Sequence, residues 1–201
     1  MKEDVKRVFF HELGHFVAHE INKRYYHGTG TKSIEIFPFP YNNELFEGDA
    51  KINCSEDERE KNVPRIELLA EYLASSTYGC IFQSYYKNEE TFDDCFKDNG
   101  RKDSEQWLKA MRNYRIDDYK SEITRVESGY FKMLRKKGAL DNFMTLEPEN
   151  YLTDRGFENY SVDVDKLRKD TENIVTAHQK DYDELIQKYQ AYIDTYYQAP
   201  Q

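Results

Sequence analysis

Residues 11 to 15 read HELGH and match the pattern H-E-x-x-H. On an α-helix, positions i and i+4 share one face, so His11 and His15 can bind the same zinc ion. Glu12 lies beside that ion, where its carboxylate can take a proton from a metal-activated water and pass it to a leaving amine. The spacing predicts zinc chemistry, with His11 and His15 as metal ligands and Glu12 as the general base.

Two neighbours of the motif require their own interpretation. His19 follows His15 by four residues, but one straight helix rarely gives three ligands to a tetrahedral ion. The metzincin pattern needs its third histidine two positions further on, where Ile21 stands. We therefore place His19 at the rim of the site or behind its ligands. Gly14 costs about 1 kcal/mol against alanine in a helix, which suggests that a backbone or a substrate passes close to it.

A catalytic zinc ion needs a third protein ligand and one open position. One source is the stretch IELLAEYLASS, where Glu67 and Glu71 are spaced i, i+4 on a predicted helix. The other is Asp103, which begins a predicted helix after the glycine-bearing turn DNGRKD. Each also has a plain structural role available, as solvated glutamates on an amphipathic helix or as an aspartate that caps its helix. The residues by themselves leave this choice open.

The elements that would position these side chains are mostly helical. Apolar residues at spacings of three and four predict helices at 4–24, 65–78, 102–114, 116–136 and 164–197, and Ser55 is a candidate N-cap for one more. The run SIEIFPFP, ended by two prolines, predicts an exposed edge strand at Ile34–Phe37 that could bind substrate by β-addition. The run LFEGDAKIN predicts a second short strand.

We therefore expect a predominantly α-helical α+β fold with a two- or three-stranded sheet beside the metal helix. Residues 1–137 would form the zinc domain, and 138–163 a loop connector. Residues 164–197 would form a long helix that packs on the domain, binds a partner or makes a homo-oligomer.

Composition narrows the classes of function. Charged residues make up 33% of the chain and hydrophobic residues 38%, and the net charge of −9 disfavours nucleic acid as a partner. No apolar run reaches membrane-spanning length, and the N-terminus lacks a secretory h-region. The cysteines number three without a C-x-x-C, which indicates neither a disulfide framework nor a cysteine zinc site. We expect a reduced, cytoplasmic protein, with His27 and His178 at its surface.

The order of these motifs resembles the peptidase domain of the FtsH family of zinc metalloproteases. The corresponding parts read HELGH, KSIEIFPFP, LFEGDAKI, LLAEYLASSTYG and GRKDSEQ, and they span about residues 5 to 112. In that family the aspartate that follows the last glycine turn is the third zinc ligand, so the resemblance implies Asp103. Ser75 and Ser76 stand where the family usually has acidic residues, and Lys102 replaces a common asparagine. The chain has no P-loop, so ATP-driven unfolding does not carry over.

A second resemblance implies a different ligand. The sequence HELGHFVAHE, taken with the later glutamate helix, is similar to ImmA/IrrE-type metallopeptidases, which cleave regulatory proteins and would use Glu67. Those folds place strands before the metal helix, and only ten residues precede the HELGH motif here. A third hypothesis is a non-catalytic scaffold that contains zinc. We favour a zinc metallopeptidase of peptide or protein substrates, with His11, His15 and Asp103 as ligands.

Overall fold

A computed structural model describes residues 1–40, 42–52, 64–91, 95–96 and 100–197. Its helices are α1 (Glu3–Tyr25), α2 (Leu69–Tyr86), α3 (Arg101–Asn113), α4 (Lys120–Lys137), α5 (Asp141–Met144) and α6 (Val164–Tyr196). Its strands are β1 (Thr31–Phe39), β2 (Asn42–Ile52), β3 (Leu152–Asp154) and β4 (Tyr160–Val162). The predicted α+β fold with mostly helical content is confirmed. The helix expected to follow Ser55 lies outside the described residues.

The four strands form one antiparallel sheet in the order β2–β1–β4–β3. β1 pairs with β2 along most of its length, so that Ile36 faces Gly48. On its other side β1 pairs with β4 through Glu35 and Ile36. Three predictions were therefore wrong: the sheet has four strands rather than two or three, β1 is an interior strand, and residues 138–163 contribute a helix and a strand pair rather than a loop. The short β4 strand carried too few residues to show a two-residue period in the sequence.

Helix α1 lies at the centre of the molecule, because it packs against α2, the sheet and α6 together. Its apolar residues, such as Phe9, Phe16 and Ile21, are fully buried. The backbone of α2 approaches α1 at Gly14, where an added Cβ would lie 2.3 Å from the Tyr78 carbonyl oxygen. The expectation of a close backbone at Gly14 is confirmed, and this contact fixes how the metal motif meets α2.

The long helix α6 packs on α2 and α4, and residues whose spacing of three and four predicted it, such as Tyr182, Leu185 and Tyr189, lie on its buried face. Tyr182 and Tyr189 on that face are fully buried, and the Tyr189 hydroxyl lies 2.6 Å from the Thr77 hydroxyl of α2. His178 lies on the same face and is only 3% exposed, so its predicted surface position was wrong. His27 is exposed as predicted, with 70% of its side-chain surface accessible.

Cys80 of α2 and Cys95 form a disulfide, with their Cα atoms 5.4 Å apart. This corrects the expectation that the cysteines stay reduced, which was based on an odd count and the lack of a short C-x-x-C spacing. Cys54 lies outside the described residues. Among the described helices, none is both long and apolar enough to cross a membrane.

Candidate metal centre

Three donor atoms from two distant parts of the chain meet between α1 and α3. The Asp103 Oδ2 atom lies 2.9 Å from His11 Nε2 and 3.2 Å from His15 Nε2, and the two Nε2 atoms lie 3.1 Å apart. The histidines are brought together by the helical i, i+4 spacing, whereas Asp103 is 92 residues from His11. The structure thus brings together all three residues that were predicted as metal ligands.

Asp103 lies in the first turn of α3 and does not cap it. The N-cap position is Gly100, whose carbonyl oxygen accepts the first helical hydrogen bond from the Ser104 backbone N–H. A Cβ at Gly100 would lie 2.2 Å from the Cys80 sulfur, so only glycine lets the chain pass the disulfide here. The alternative of a simple helix cap is therefore wrong, and the Asp103 carboxylate is directed at the histidines instead.

Contacts behind the histidines orient their rings. The Nδ1 atom of His15 lies 2.9 Å from the Ser75 carbonyl oxygen, which can only accept, so Nδ1 carries the proton. Nε2 of His15, on the side of Asp103, is therefore the nitrogen that can bind a metal once its proton is displaced. The Nδ1 atom of His11 lies 3.6 Å from the Cys95 sulfur of the disulfide. Sequence reasoning identified neither of these supporting contacts.

The Asp103 carboxylate determines the protonation of this group of side chains. Burial favours the neutral form of His15, but the nearby Asp103 carboxylate outweighs it and raises the pKa of His15 to about 9. Burial would raise the pKa of Asp103, yet its hydrogen bonds and charge interactions with His15 and His11 hold it well below its usual range. The carboxylate therefore stays ionised and available as a ligand, and a metal ion would replace the proton on His15.

Glu12 lies one residue further round α1 and is 4% exposed. Burial raises the pKa of the Glu12 carboxyl above its usual value, although His15 and His11 act in the opposite direction. A bound dication would add a further lowering effect. A raised pKa makes the Glu12 carboxylate a stronger base than a solvated glutamate is.

Two glycines, which have no side chain, provide the space that the His11, His15 and Glu12 side chains occupy. A Cβ at Gly79 of α2 would lie 2.5 Å from His15 Nε2 and 2.8 Å from His11 Nε2. A Cβ at Gly48 of β2 would lie 2.2 Å from Glu12 Oε1. Gly79 thus makes room for the rings of His11 and His15, and Gly48 for the carboxylate of Glu12. Sequence reasoning missed both roles, because only the packing of α2 and β2 on α1 places these glycines at the site.

The competing ligand candidates lie elsewhere. Glu67 is exposed on a short 3₁₀ turn at Ile66–Leu68. The Glu71 carboxylate binds His27, with Oε1 at 2.9 Å from the ring Nδ1 and Oε2 accepting the backbone N–H at 3.2 Å. A second set of potential metal ligands among the described residues consists of His11, Cys80 and Cys95. Both of these sulfurs are bonded to each other in the disulfide.

The three donors fit a zinc ion. Ligands at the usual Zn–N distance in a tetrahedron are roughly 3.3 Å apart, and the separations here are 2.9, 3.1 and 3.2 Å. Side-chain movements of a few tenths of an ångström would accommodate the ion. Two imidazoles and one carboxylate are also a donor set that zinc accepts in catalytic sites.

A cavity of about 440 Å³ opens on this centre. Its floor follows α1 from Arg7 to Asn22, roughly 22 Å along the helix axis. Strand β2 lines one side and helix α2 the other. The volume falls in the range of small-molecule and peptide pockets.

His19 lines the same cavity one helical turn beyond His15, and the two rings stack at 6.3 Å between centroids. Burial and the neighbouring His15 lower the pKa of His19 to about 3, so the ring is neutral. Its Nδ1 atom lies 3.4 Å from the Thr31 hydroxyl. His19 takes no part in the group of donor atoms, as expected from the spacing, and lies at the cavity wall.

Comparisons with models of known protein families, with curated proteins and with solved structures find no match for this chain. The resemblance to the FtsH peptidase domain therefore depends on the motifs quoted above and stays a prediction.

Proposed function

We propose that this chain is a zinc-dependent metalloendopeptidase that hydrolyses unfolded or flexible protein segments without ATP. The observation that carries the proposal is the convergence of His11, His15 and Asp103 beside the buried carboxylate of Glu12. Hydrolysis needs such a base, whereas a purely structural zinc site does not. The order of motifs shared with the FtsH family supports the same activity.

The division of labour follows from the donor set. Zinc held by His11, His15 and Asp103 would supply Lewis-acid chemistry that acidifies a water and polarises the substrate carbonyl. The Glu12 carboxylate would accept the proton of the attacking water and return it to the leaving amine. The Ser75 carbonyl keeps the His15 ring in the tautomer that offers Nε2. Gly48 leaves Glu12 the room to occupy its position.

Cleavage within a chain, rather than at its end, is supported by the shape of the cavity. The cavity continues on both sides of the metal motif. Arg7 and Phe46 line one end, and Asn22 and Ile52 line the other. Substrate residues on both sides of the scissile bond would therefore contact the cavity wall. In the described residues no strand pairs with the outer side of β2, so β2 replaces Ile34–Phe37 as the proposed edge for β-addition.

The test combines metal content with cleavage. Purified wild type should carry one zinc per chain and cleave casein or a flexible peptide at internal bonds. Glu12→Gln should keep the zinc and lose at least about 100-fold in kcat, because general-base catalysis contributes that much. Asp103→Ala should lose the zinc, and Glu67→Ala should keep it as the matched control. A zinc-free wild type, or equal cleavage by Glu12→Gln, would contradict the proposal.

The two other hypotheses predict different results. Zinc lost in Glu67→Ala but kept in Asp103→Ala would favour the ImmA/IrrE-like assignment. Full zinc without cleavage of any tested substrate would favour a scaffold. The cytoplasmic location stays a prediction, and the Cys80–Cys95 disulfide favours a compartment that permits disulfides. A partner or second copy bound through α6 also stays a prediction.

A further inference from the structure

The end of the cavity beyond His19 is rich in hydrogen-bond acceptors. Asn22, Glu71 and Ser75 line it, and the turn that contains His27 closes it. Asn22 is 6% exposed, yet its Oδ1 atom has no hydrogen-bond partner. A buried carbonyl oxygen without a donor is costly, and each such group in a native structure calls for an explanation.

The orientation of the Asn22 amide is fixed by its neighbours. The Ser75 hydroxyl donates to the Glu71 carbonyl oxygen at 2.9 Å, so Ser75 Oγ has only lone pairs left for others. The Asn22 Nδ2 atom donates to that oxygen at 2.9 Å. A flipped amide would face Ser75 with oxygen against oxygen. The unpartnered atom of Asn22 is therefore the acceptor Oδ1.

Glu71 adds negative charge at the same end. Only 12% of its side-chain surface is exposed, and its two described donors are the backbone N–H and ring Nδ1 of His27. A carboxylate accepts about four hydrogen bonds, so roughly two positions stay open. The cations that line the cavity in the described residues lie toward the opposite end, where Arg7 pairs with Asp4 and Lys102 with Glu47.

We propose that this end of the cavity is a specificity subsite for a basic side chain, lysine or arginine, of the peptide substrate, bound by the Glu71 carboxylate. The buried Asn22 Oδ1 atom, which no donor neutralises, adds negative potential to this end. An ammonium offers three donors and a guanidinium five, which matches a site with free acceptors and one negative charge. The inference rests on the proposed peptidase function for the identity of the ligand as a peptide.

The position of the subsite follows from the helix. Asn22 lies seven residues after His15, roughly 10 Å along α1, which an extended peptide spans in about three residues. A peptide antiparallel to β2 would place its N-terminal side here, because β2 runs from Phe46 near Arg7 to Ile52 opposite Thr31. The basic residue therefore belongs about three positions before the scissile bond.

Direct binding tests the subsite separately from cleavage. Zinc-loaded Glu12→Gln protein is titrated, by fluorescence anisotropy, into labelled peptides in which one lysine or one norleucine occupies successive positions. We expect lysine to bind about tenfold tighter than norleucine at one position, since a charge-assisted hydrogen bond is worth about that factor. Glu71→Gln in the same background should reduce this preference to less than twofold. Equal binding of the lysine and norleucine peptides at every position would overturn the inference.

Two further variants serve as controls. Glu47→Gln removes a carboxylate at the other end of the cavity and should leave the lysine preference intact. His27→Ala removes the exposed side chain that donates to Glu71, so the preference for lysine should increase. A preference that Glu47→Gln abolishes, or that survives Glu71→Gln, would overturn the assignment. If wild type cleaves none of the peptides while the preference persists, the peptidase proposal fails and the subsite stands. If wild type cleaves the peptides and no lysine preference is measured, the subsite fails and the peptidase proposal stands.

Discussion

Gly79 of α2 lies so close to the face of α1 that carries His11 and His15 that a Cβ at this position would come within 2.5 Å of His15 Nε2. The same Cβ would lie 2.8 Å from His11 Nε2. The bare backbone of α2 thus forms the back wall of the site. The Gly14 contact with the Tyr78 carbonyl brings the two helices this close one residue earlier.

Gly79→Ala should therefore displace the histidines and weaken zinc binding. We expect a loss of about 10- to 100-fold in affinity, the range seen when groups that support metal ligands are altered. Competition with a chromogenic chelator measures it. Gly129→Ala on α4 is the matched control, because a Cβ there meets nothing within 4 Å. That control should bind zinc normally and gain about 0.5–1 kcal/mol of stability; unchanged affinity in Gly79→Ala would contradict the role given to Gly79.

Gly48→Ala should separate the base from the metal. The new Cβ would lie 2.2 Å from Glu12 Oε1 and must push that carboxylate aside, while the histidines face α2 and α3. We expect zinc content to stay at the wild-type level and kcat to fall about 100-fold, comparable to loss of a general base. Zinc analysis and peptide cleavage on the same preparation check both parts. Loss of zinc, or full activity, would contradict the separation.

The sequence was most informative where chemistry and local geometry coincide. His11, Glu12 and His15 lie within one helical turn, so their relative positions follow from the helix alone. The apolar spacing of α6 likewise predicted a helix, and its residues Tyr182, Leu185 and Tyr189 are buried. His178 could have been placed correctly by the same argument, because it lies three residues after the buried Val175 and four before the buried Tyr182.

The parts that sequence reasoning missed depend on contacts between distant segments. Nothing local directs Asp103 to a histidine 92 residues away, and only the resemblance to a family favoured it over Glu67 and Glu71. β4 joins the sheet through two residues of β1, Glu35 and Ile36, which made β1 an interior strand. Gly48 and Gly79 carry no sequence signal of their own. Their roles appear only when the helices and the sheet are packed together.

The Cys80–Cys95 disulfide closes a short loop next to the centre, since the cysteines are 15 residues apart. A loop of this size contributes about 3 kcal/mol in the chain-entropy view. Reduction should therefore lower the free energy of unfolding by about that amount, measured by urea denaturation with and without a phosphine reductant. The double variant Cys80→Ala, Cys95→Ala should show the lower stability in both conditions. If the reductant leaves the unfolding free energy of the wild type unchanged, the disulfide does not form in solution.

Reduction should also affect the metal. Cys95 contacts His11 and accepts the Gly100 backbone N–H on its carbonyl, so it lies on the segment that leads into Asp103. Freed from Cys80, this segment should hold Asp103 less firmly, and zinc affinity should drop about tenfold, at the low end for a supporting contact. Chelator competition in the oxidised and reduced states measures the change. Equal affinity would mean that α3 is held by its packing on α2 alone.

His178 provides a pH-dependent contribution to stability from a buried chain of hydroxyl groups. Tyr130 donates to the Asp181 carbonyl at 2.7 Å, and the Tyr78 hydroxyl lies 2.9 Å from Tyr130 and 2.7 Å from His178 Nε2. With the Tyr130 proton used, Tyr78 donates to Tyr130 and His178 Nε2–H donates to Tyr78. The buried Nδ1 atom then has no hydrogen-bond partner, and it lies 3.7 Å from the Asp181 Oδ2 atom.

Burial, together with Lys137, lowers the pKa of His178 to about 4 despite the opposing effect of Asp181. In the unfolded chain, the His178 side chain takes up its proton near pH 6.5. The free energy of unfolding therefore falls as the pH drops from about 6.5 to about 4. The loss should reach about 2–3 kcal/mol by pH 4.5 relative to pH 7. His178→Gln keeps a donor for Tyr78 and does not titrate, so the pH dependence of its unfolding free energy in urea, measured in EDTA, should be flatter by that amount. Parallel curves for the two proteins would mean that His178 titrates normally in the folded state.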